Sequence, residues 1–435
     1  MSTSAYLEDV TAATKRKGEP RWLRDLRARG AEHFAKIGFP TTRDEDWKYT
    51  SAAPIAELDV RALQEPGGEV TAEQLAPFTF GGHDWTTLVF VNGRYDAELS
   101  SGAALDAGVR VLPLGEAREE MADIVEGTLG SICTVEQSAF VALNAALHTD
   151  GAVIHLAPNA EADAPIHLLF VSDALSAKGA SHPRILIVAE PNAKATVIES
   201  YVALGEATYL TNSVTEISLG QGATIAHYKI QRESPRAYHV ATIDARQGKD
   251  SHFVSFSFAT GAALSRTNVW TVLGGEGCGA TLNGLYMADG EQHVDHQTRI
   301  EHQKENCYSR EVYRGVLDDT AHGVFNGKVY VHPEAQKTDG KQENHTLLLS
   351  PRAVIDTKPQ LEIFADDVKC THGATVGRID QTSLFYMKSR GVGAVRARQL
   401  LTYAFAADVL EQIELEPLRN SLEELTLARF TRDDR

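Results

Sequence analysis

Cysteine is scarce in this chain: Cys133, Cys278, Cys307 and Cys370 are widely spaced and form no C-x-x-C pair. That excludes a disulfide framework and a zinc ribbon, and reduced thiols in the cytoplasm fit best. No run approaches the roughly 20 apolar residues of a membrane span. The opening MSTSAYLEDV has no basic flank ahead of an apolar core, so no signal peptide is expected. Positive charge is also in short supply: 42 Lys and Arg against 59 Asp and Glu give a net charge of −17. Nucleic acid and anionic membranes both need basic surface, so neither is an expected partner. A Walker loop and a G-x-S-x-G elbow are missing too, which leaves ATP hydrolysis and nucleophile-elbow chemistry without their machinery. Leu273 to Gly277 (LGGEG) is glycine-rich but opens no helix, and a turn between strands explains it better.

What is there changes texture along the chain. From Tyr6 to Phe39 the apolar residues Trp22, Leu23, Leu26, Phe34 and Ile37 recur at helical steps, and Gly38 and Pro40 stop the run. RDEDWKYTS then sets Trp47 and Tyr49 among charges, as a loop or helix end does. TLVFVNGRYDAEL reads as a hairpin turning at Asn92-Gly93. Helical patterns resume near Glu116 to Gly127 and Val135 to Leu147, so residues 1–150 form a mostly helical region with one hairpin.

Beyond Asp150 strand-like segments succeed one another. Ala195-Thr196-Val197, Ala223-Thr224-Ile225, Ser251-His252-Phe253 and Ala280-Thr281-Leu282 recur at 28 or 29 residues, and Ala374-Thr375-Val376 follows after an interval that includes His322-Gly323-Val324. This period suits a solenoid whose coils hold two or three strands of about five or six residues. An antiparallel sandwich is the competing reading, but its turns should come every 8–12 residues. The expected fold is mainly β: a right-handed parallel β-helix over 151–380, flanked by N-terminal and C-terminal α-helical regions. In the latter, 381–435, Gly391 ends one helix. The next, Ala394 to Ile413, is apolar on two lines, one through Leu401, Phe405 and Val409 and one through Leu400, Ala404 and Ala407. One line can pack on the solenoid; the other would offer a partner site. A last helix starts at Pro417, with Leu418, Leu422 and Leu425 on its buried face.

Chemistry concentrates in VKCTHGATVGRIDQTSLFYMKSR. Side chains two apart on a strand share a face, so Cys370 and His372 point the same way and can share a soft metal or sulfur species. The plainer alternative is a half-buried strand end whose Cys and His simply pack. His293 and His296, three apart, should face opposite sides. His302, His322, His332 and His345 read as structural or exposed, and Asp318-Asp319 and Asp366-Asp367 as turn residues.

VKCTHGATVGRIDQTSLFYMKSRG resembles the core of the SufB/SufD family, scaffold components of bacterial iron–sulfur cluster assembly. YRGVLDDTAHGVFNGKVYVHPEAQKTDGKQENHTLLLS, ARQLLTYAFAADVL, DEDWKYTS and LVFVNGRYDAELS extend the resemblance over nearly the whole chain. The chain departs from the SufB branch at Ala353, where SufB carries a functional cysteine, and at Gly373, where it carries a glutamate; both departures fit the SufD branch. The resemblance implies a non-enzymatic scaffold with no intrinsic cofactor. Its β-helix would pair with that of SufB, and its C-terminal helices, through Leu400, Leu401, Ala404, Phe405 and Val409, would hold the ABC-type ATPase SufC. His372, with Cys370 beside it, would bind iron of a nascent, transient cluster at the SufB interface. A homodimeric scaffold without SufB, or a β-helix enzyme of the polysaccharide lyase or acyltransferase type, is the alternative.

Overall fold

From Lys194 onward the strands bury polar residues together with apolar ones, so both faces of most strands are covered. The computed structural model describes residues 3–63, 70–81, 84–102 and 105–431. From Lys194 onward each strand pairs in parallel with the strand two places on, not with its sequence neighbour. Lys194–Ala203, Thr224–Arg232, His252–Thr260, Gly279–Ala288, Tyr308–Leu317, Asp339–Leu348 and Lys369–Gly377 stack in one sheet. Leu210–Leu219, Tyr238–Gln247, Leu264–Leu273, His293–His302, His322–Val331 and Val354–Ile363 stack in the other. Every coil thus contributes one strand to each of two facing parallel sheets, and the fold is the expected parallel solenoid.

The detail differs from the expectation in two ways. Coils hold two strands of nine or ten residues rather than two or three of five or six. The triplets that suggested the period are also not all stacked: register sets Ala195 opposite Ile225 and Phe253 opposite Ala280, and Ala374 opposite Asn344. His322-Gly323-Val324 lies on the other sheet. The residues that do recur are corners: Thr224 N–H donates to Ala193 O, His252 to Ala223, Gly279 to Ser251 and Tyr308 to Cys278. Corner lengths vary by a residue or two, which slid the apparent motif off the true register. LGGEG is one such corner; a Cβ on Gly275 would lie 2.2 Å from the Lys249 nitrogen of the coil before.

The interior is only partly apolar. Phe90, Phe170 and Tyr201 stack at centroid spacings of 4.7 and 4.9 Å. Further along, buried charges are matched instead. Glu199 accepts from His227, Thr215 and Tyr201, and Glu233 from Thr211 and Gln231 with His239 Nδ1 at 2.7 Å. Breaking such a pair from one side leaves a lone buried charge, which costs about 3–5 kcal/mol.

The hairpin Thr86–Val91 and Arg94–Ser101 turns at Asn92 and Gly93, both at positive φ (51° and 80°), and its first strand pairs with Ile166–Ser172, so it extends a solenoid sheet. The long N-terminal helix is two, Thr3–Ala13 and Arg21–Ile37, broken where Gly18 takes φ 83° and Pro20 precedes the second. Gly30 lets that second helix approach Ala139–Leu147 closely; a Cβ would sit 2.6 Å from Ala142 O. Trp47 anchors the helical region on the solenoid: it stacks on Phe140 and lies under the Arg266 guanidinium at 4.0 Å, while Thr50 donates to Asp295 at 2.5 Å.

At the other end, Ala394–Leu410 and Glu416–Thr431 cover the outer face of the sheet around Phe256, Phe258, Leu285 and Met287, with Leu418 and Leu422 buried as expected. Gly391, at φ 86°, ends Gln381–Ser389. No helix among the described residues is long and apolar enough to cross a membrane.

Candidate functional site

Pairing stops at the last coil. Val354–Ile363 and Lys369–Gly377 are the outermost strands of their sheets, each paired on one side only among the described residues. An unpaired edge carries a row of N–H and C=O groups able to template another chain. Apolar side chains accompany it: Val354, Phe364 and Val376 are 50%, 56% and 49% exposed.

Cys370, His372 and Ala374 share the face turned toward the solenoid interior, because register sets them opposite Gly340, Gln342 and Asn344, all buried. Their surroundings differ. Cys370 is half-buried, its Sγ lying 3.3 Å from where a Cβ on Gly340 would stand; the absence of that Cβ gives the sulfur its seat. Burial pushes the thiol's pKa up, partly opposed by a hydrogen bond to the Gly340 backbone. His372 is exposed at the mouth of the stack.

Behind His372 the same ladder continues through Gln342 to Glu311. Gln342 Nε2 donates to Glu311 Oε2 at 2.7 Å, and desolvation raises the Glu311 carboxyl to about 7. Neither residue was a sequence candidate. The signal was present: 311, 342 and 372 are separated by 31 and 30 residues, one coil each.

The other candidates fall elsewhere. His293 faces outward to Thr50 Oγ1 at 2.9 Å, and His296 faces inward between Tyr286 and Tyr313, on opposite sides as expected. His302 bonds Ser309, His322 bonds Asp356 and His332 bonds Glu301. Cys133, Cys278 and Cys307 are buried. Among the described residues no group of three or more His, Cys, Asp or Glu side chains is arranged to hold a metal ion.

On Ala394–Leu410 the two apolar lines separate. Val409 is 1% exposed and sits against the sheet, and Phe405 is partly buried beneath the Arg314 guanidinium, which also donates to Phe405 O at 2.9 Å. The Val409 end of that line is therefore the seated one and cannot meet a partner. Leu400 and Leu401 are half-buried and Ala404 is exposed. The most exposed apolar side chains nearby lie off both lines: Phe385 at 72%, Tyr386 and Val395. Gln381–Ser389 buries none of its residues, and its short, weakly periodic sequence hid that.

A family model described as "SUF system FeS cluster assembly, SufBD core domain" matches residues 170–405, and one for the SufBD protein N-terminal region matches 5–168. An iron–sulfur cluster assembly SufBD family protein of Synechocystis is 33% identical over 97% of this chain and 92% of its own length. The iron–sulfur cluster assembly protein SufD of Escherichia coli is 33% identical over 90% of this chain and 89% of its own. SufD of Bacillus subtilis is 27% identical over 95% of both.

Proposed function

This chain belongs to the SufBD family of iron–sulfur cluster assembly proteins, and we propose that it is the SufD-type scaffold subunit of a cytoplasmic complex with SufB and SufC. The observation that carries the proposal is the uncapped last coil, which brings His372 and Cys370 to an unpaired strand edge flanked by exposed apolar side chains. Two donors are too few to hold iron, so a second subunit's edge completes the set. SufB is the partner of choice, because Ala353 and Gly373 stand where SufB carries the functional cysteine and glutamate of the site. The nascent cluster is cargo, made and passed on. A neutral imidazole suits iron, and a thiolate suits iron and sulfur alike.

SufC docks on the C-terminal helices through Leu400, Leu401 and Ala404, together with Phe385 and Tyr386 of the preceding helix. Its ATP-driven dimerisation then strains the SufB edge and opens the ligand site. The chain itself acts as scaffold and not as enzyme. A homodimer is the second reading, since the same open edge can pair with another copy; light scattering with and without SufB separates the two.

Co-purification with SufB and SufC, followed by anaerobic cluster reconstitution, tests the proposal. His372→Ala is expected to lower cluster loading on the complex while SufC stays bound, and loading equal to the parent removes His372 from the site. Phe385→Glu with Tyr386→Glu should release SufC without changing the melting temperature.

A further inference from the structure

The buried end of the ladder says how His372 is aimed. Gln342 is fully buried, and its Nε2 is taken by Glu311. Its Oε1 has no partner among the described residues. A buried carbonyl oxygen without a donor calls for an explanation, and the next position along the ladder is His372. That contact fixes the amide: its NH2 group donates to Glu311 Oε2 and so stays inward. Gly327 on the facing sheet clears the space the amide occupies: a Cβ there would stand 2.2 Å from Gln342 Nε2. Neighbouring strands lie about 4.8 Å apart, which puts an exposed ring on residue 372 within reach of that oxygen after a side-chain rotation.

We infer that Glu311 and Gln342 are positioning residues for His372: Gln342 Oε1 accepts the N–H of the nearer ring nitrogen, fixing one tautomer and turning the other nitrogen, with its lone pair, out of the solenoid mouth. The nitrogen left free is the one that binds metal, and it is chosen by the hydrogen bond the other makes. This rests on the reading of His372 as a cluster ligand and deepens it. It also separates the two donors of the edge, because Cys370 has a backbone contact and a glycine seat while His372 draws its orientation from two coils within.

The test uses the full chain labelled with ring-15N histidine, the His372 signal being assigned by its loss in His372→Asn. In the parent the two neutral tautomers should differ from the free-imidazole ratio by about 5- to 10-fold, the bias one hydrogen bond confers. Gln342→Leu should return the ratio to that of free imidazole. The swapped pair Glu311→Gln with Gln342→Glu again presents an acceptor to His372 and should restore the bias. A parent at the free ratio, a Gln342→Leu ratio unchanged from the parent, or a swap that fails to restore it overturns the inference. If Gln342→Leu does not fold, Glu311→Gln alone keeps volume and shape, and it should relax the bias; no change overturns the inference equally. The tautomer ratio decides this point whatever His372→Ala does to cluster loading, so the two readings fail separately. On the assembled complex Gln342→Leu should lower loading about 10-fold, as loss of a metal ligand's supporting partner does.

Discussion

The middle coils and the last coil share one strand geometry, yet they meet different surroundings. Along one inward ladder Ser255, Leu282, Glu311 and Gln342 are all buried, and the next residue, His372, is in water. In the middle a buried charge is matched inside. Glu199 has three partners, and Lys229, which donates to Thr267 Oγ1 at 3.3 Å and lies over the Tyr201 ring, has its pKa drawn down to about 8 by burial. At the end, the same positions are free to choose a partner outside. A stack that stabilises each coil by its neighbours on both sides leaves its terminal coil half-stabilised, and in this molecule that coil carries Cys370 and His372. Burial and exposure are divided along one axis.

The largest expected effect tests that division directly. Phe253→Ala empties a fully buried position of a middle coil and should cost about 3–5 kcal/mol in urea unfolding. Val376→Ala, on the last coil, should stay within about 0.5 kcal/mol. Should the two prove equally costly, the end is covered in solution and the comparison breaks.

A smaller effect comes from pH. Glu311 has a folded pKa of about 7, above the ordinary 4.5, so the folded chain binds the extra proton between those values. The Glu311 contribution to stability is present below 4.5 and is lost as pH rises through 7. Each pKa unit is worth about 1.4 kcal/mol, so Glu311→Gln should gain about 2–3 kcal/mol relative to the parent between pH 5 and pH 8. Denaturant titrations of both proteins at the two pH values measure this; an unchanged difference would place water beside the carboxyl and the end of the dry interior deeper than Glu311.

The parts legible in the sequence were those set by local rules. Asn92-Gly93 needs positive φ, Gly391 stops a helix, and strand alternation alone puts Cys370 and His372 on one face. The solenoid period was legible as well, but its register was not, since paired strands step by 28, 27, 29, 31 and 30 residues from Thr224 to Lys369. Ser255, Glu311 and Gln342 do not read as core, which hid both the length of the strands and the support behind His372. On Ala394–Leu410 apolar residues occur all round, and only the sheet beneath decides that Val409 is seated while Ala404 is not.

The smallest effect sharpens the comparison most, because the same chemistry is placed at both ends of it. Ser138 accepts the Phe140 N–H and caps Ala139–Leu147, a helix buried at every position. Asp380 accepts from the Thr382 and Ser383 N–H groups at 3.2 and 2.8 Å and caps Gln381–Ser389, a helix that buries nothing. Removing either cap costs about 1 kcal/mol locally. For Ser138→Ala the helix cannot fray without opening the core, so the loss appears in global unfolding. For Asp380→Ala the helix opens by itself, and amide exchange over residues 381–389 should quicken about fivefold while the global transition stays where it was. A lowered global transition in Asp380→Ala would mean that this helix unfolds with the solenoid, and that an exposed face need not be a free one.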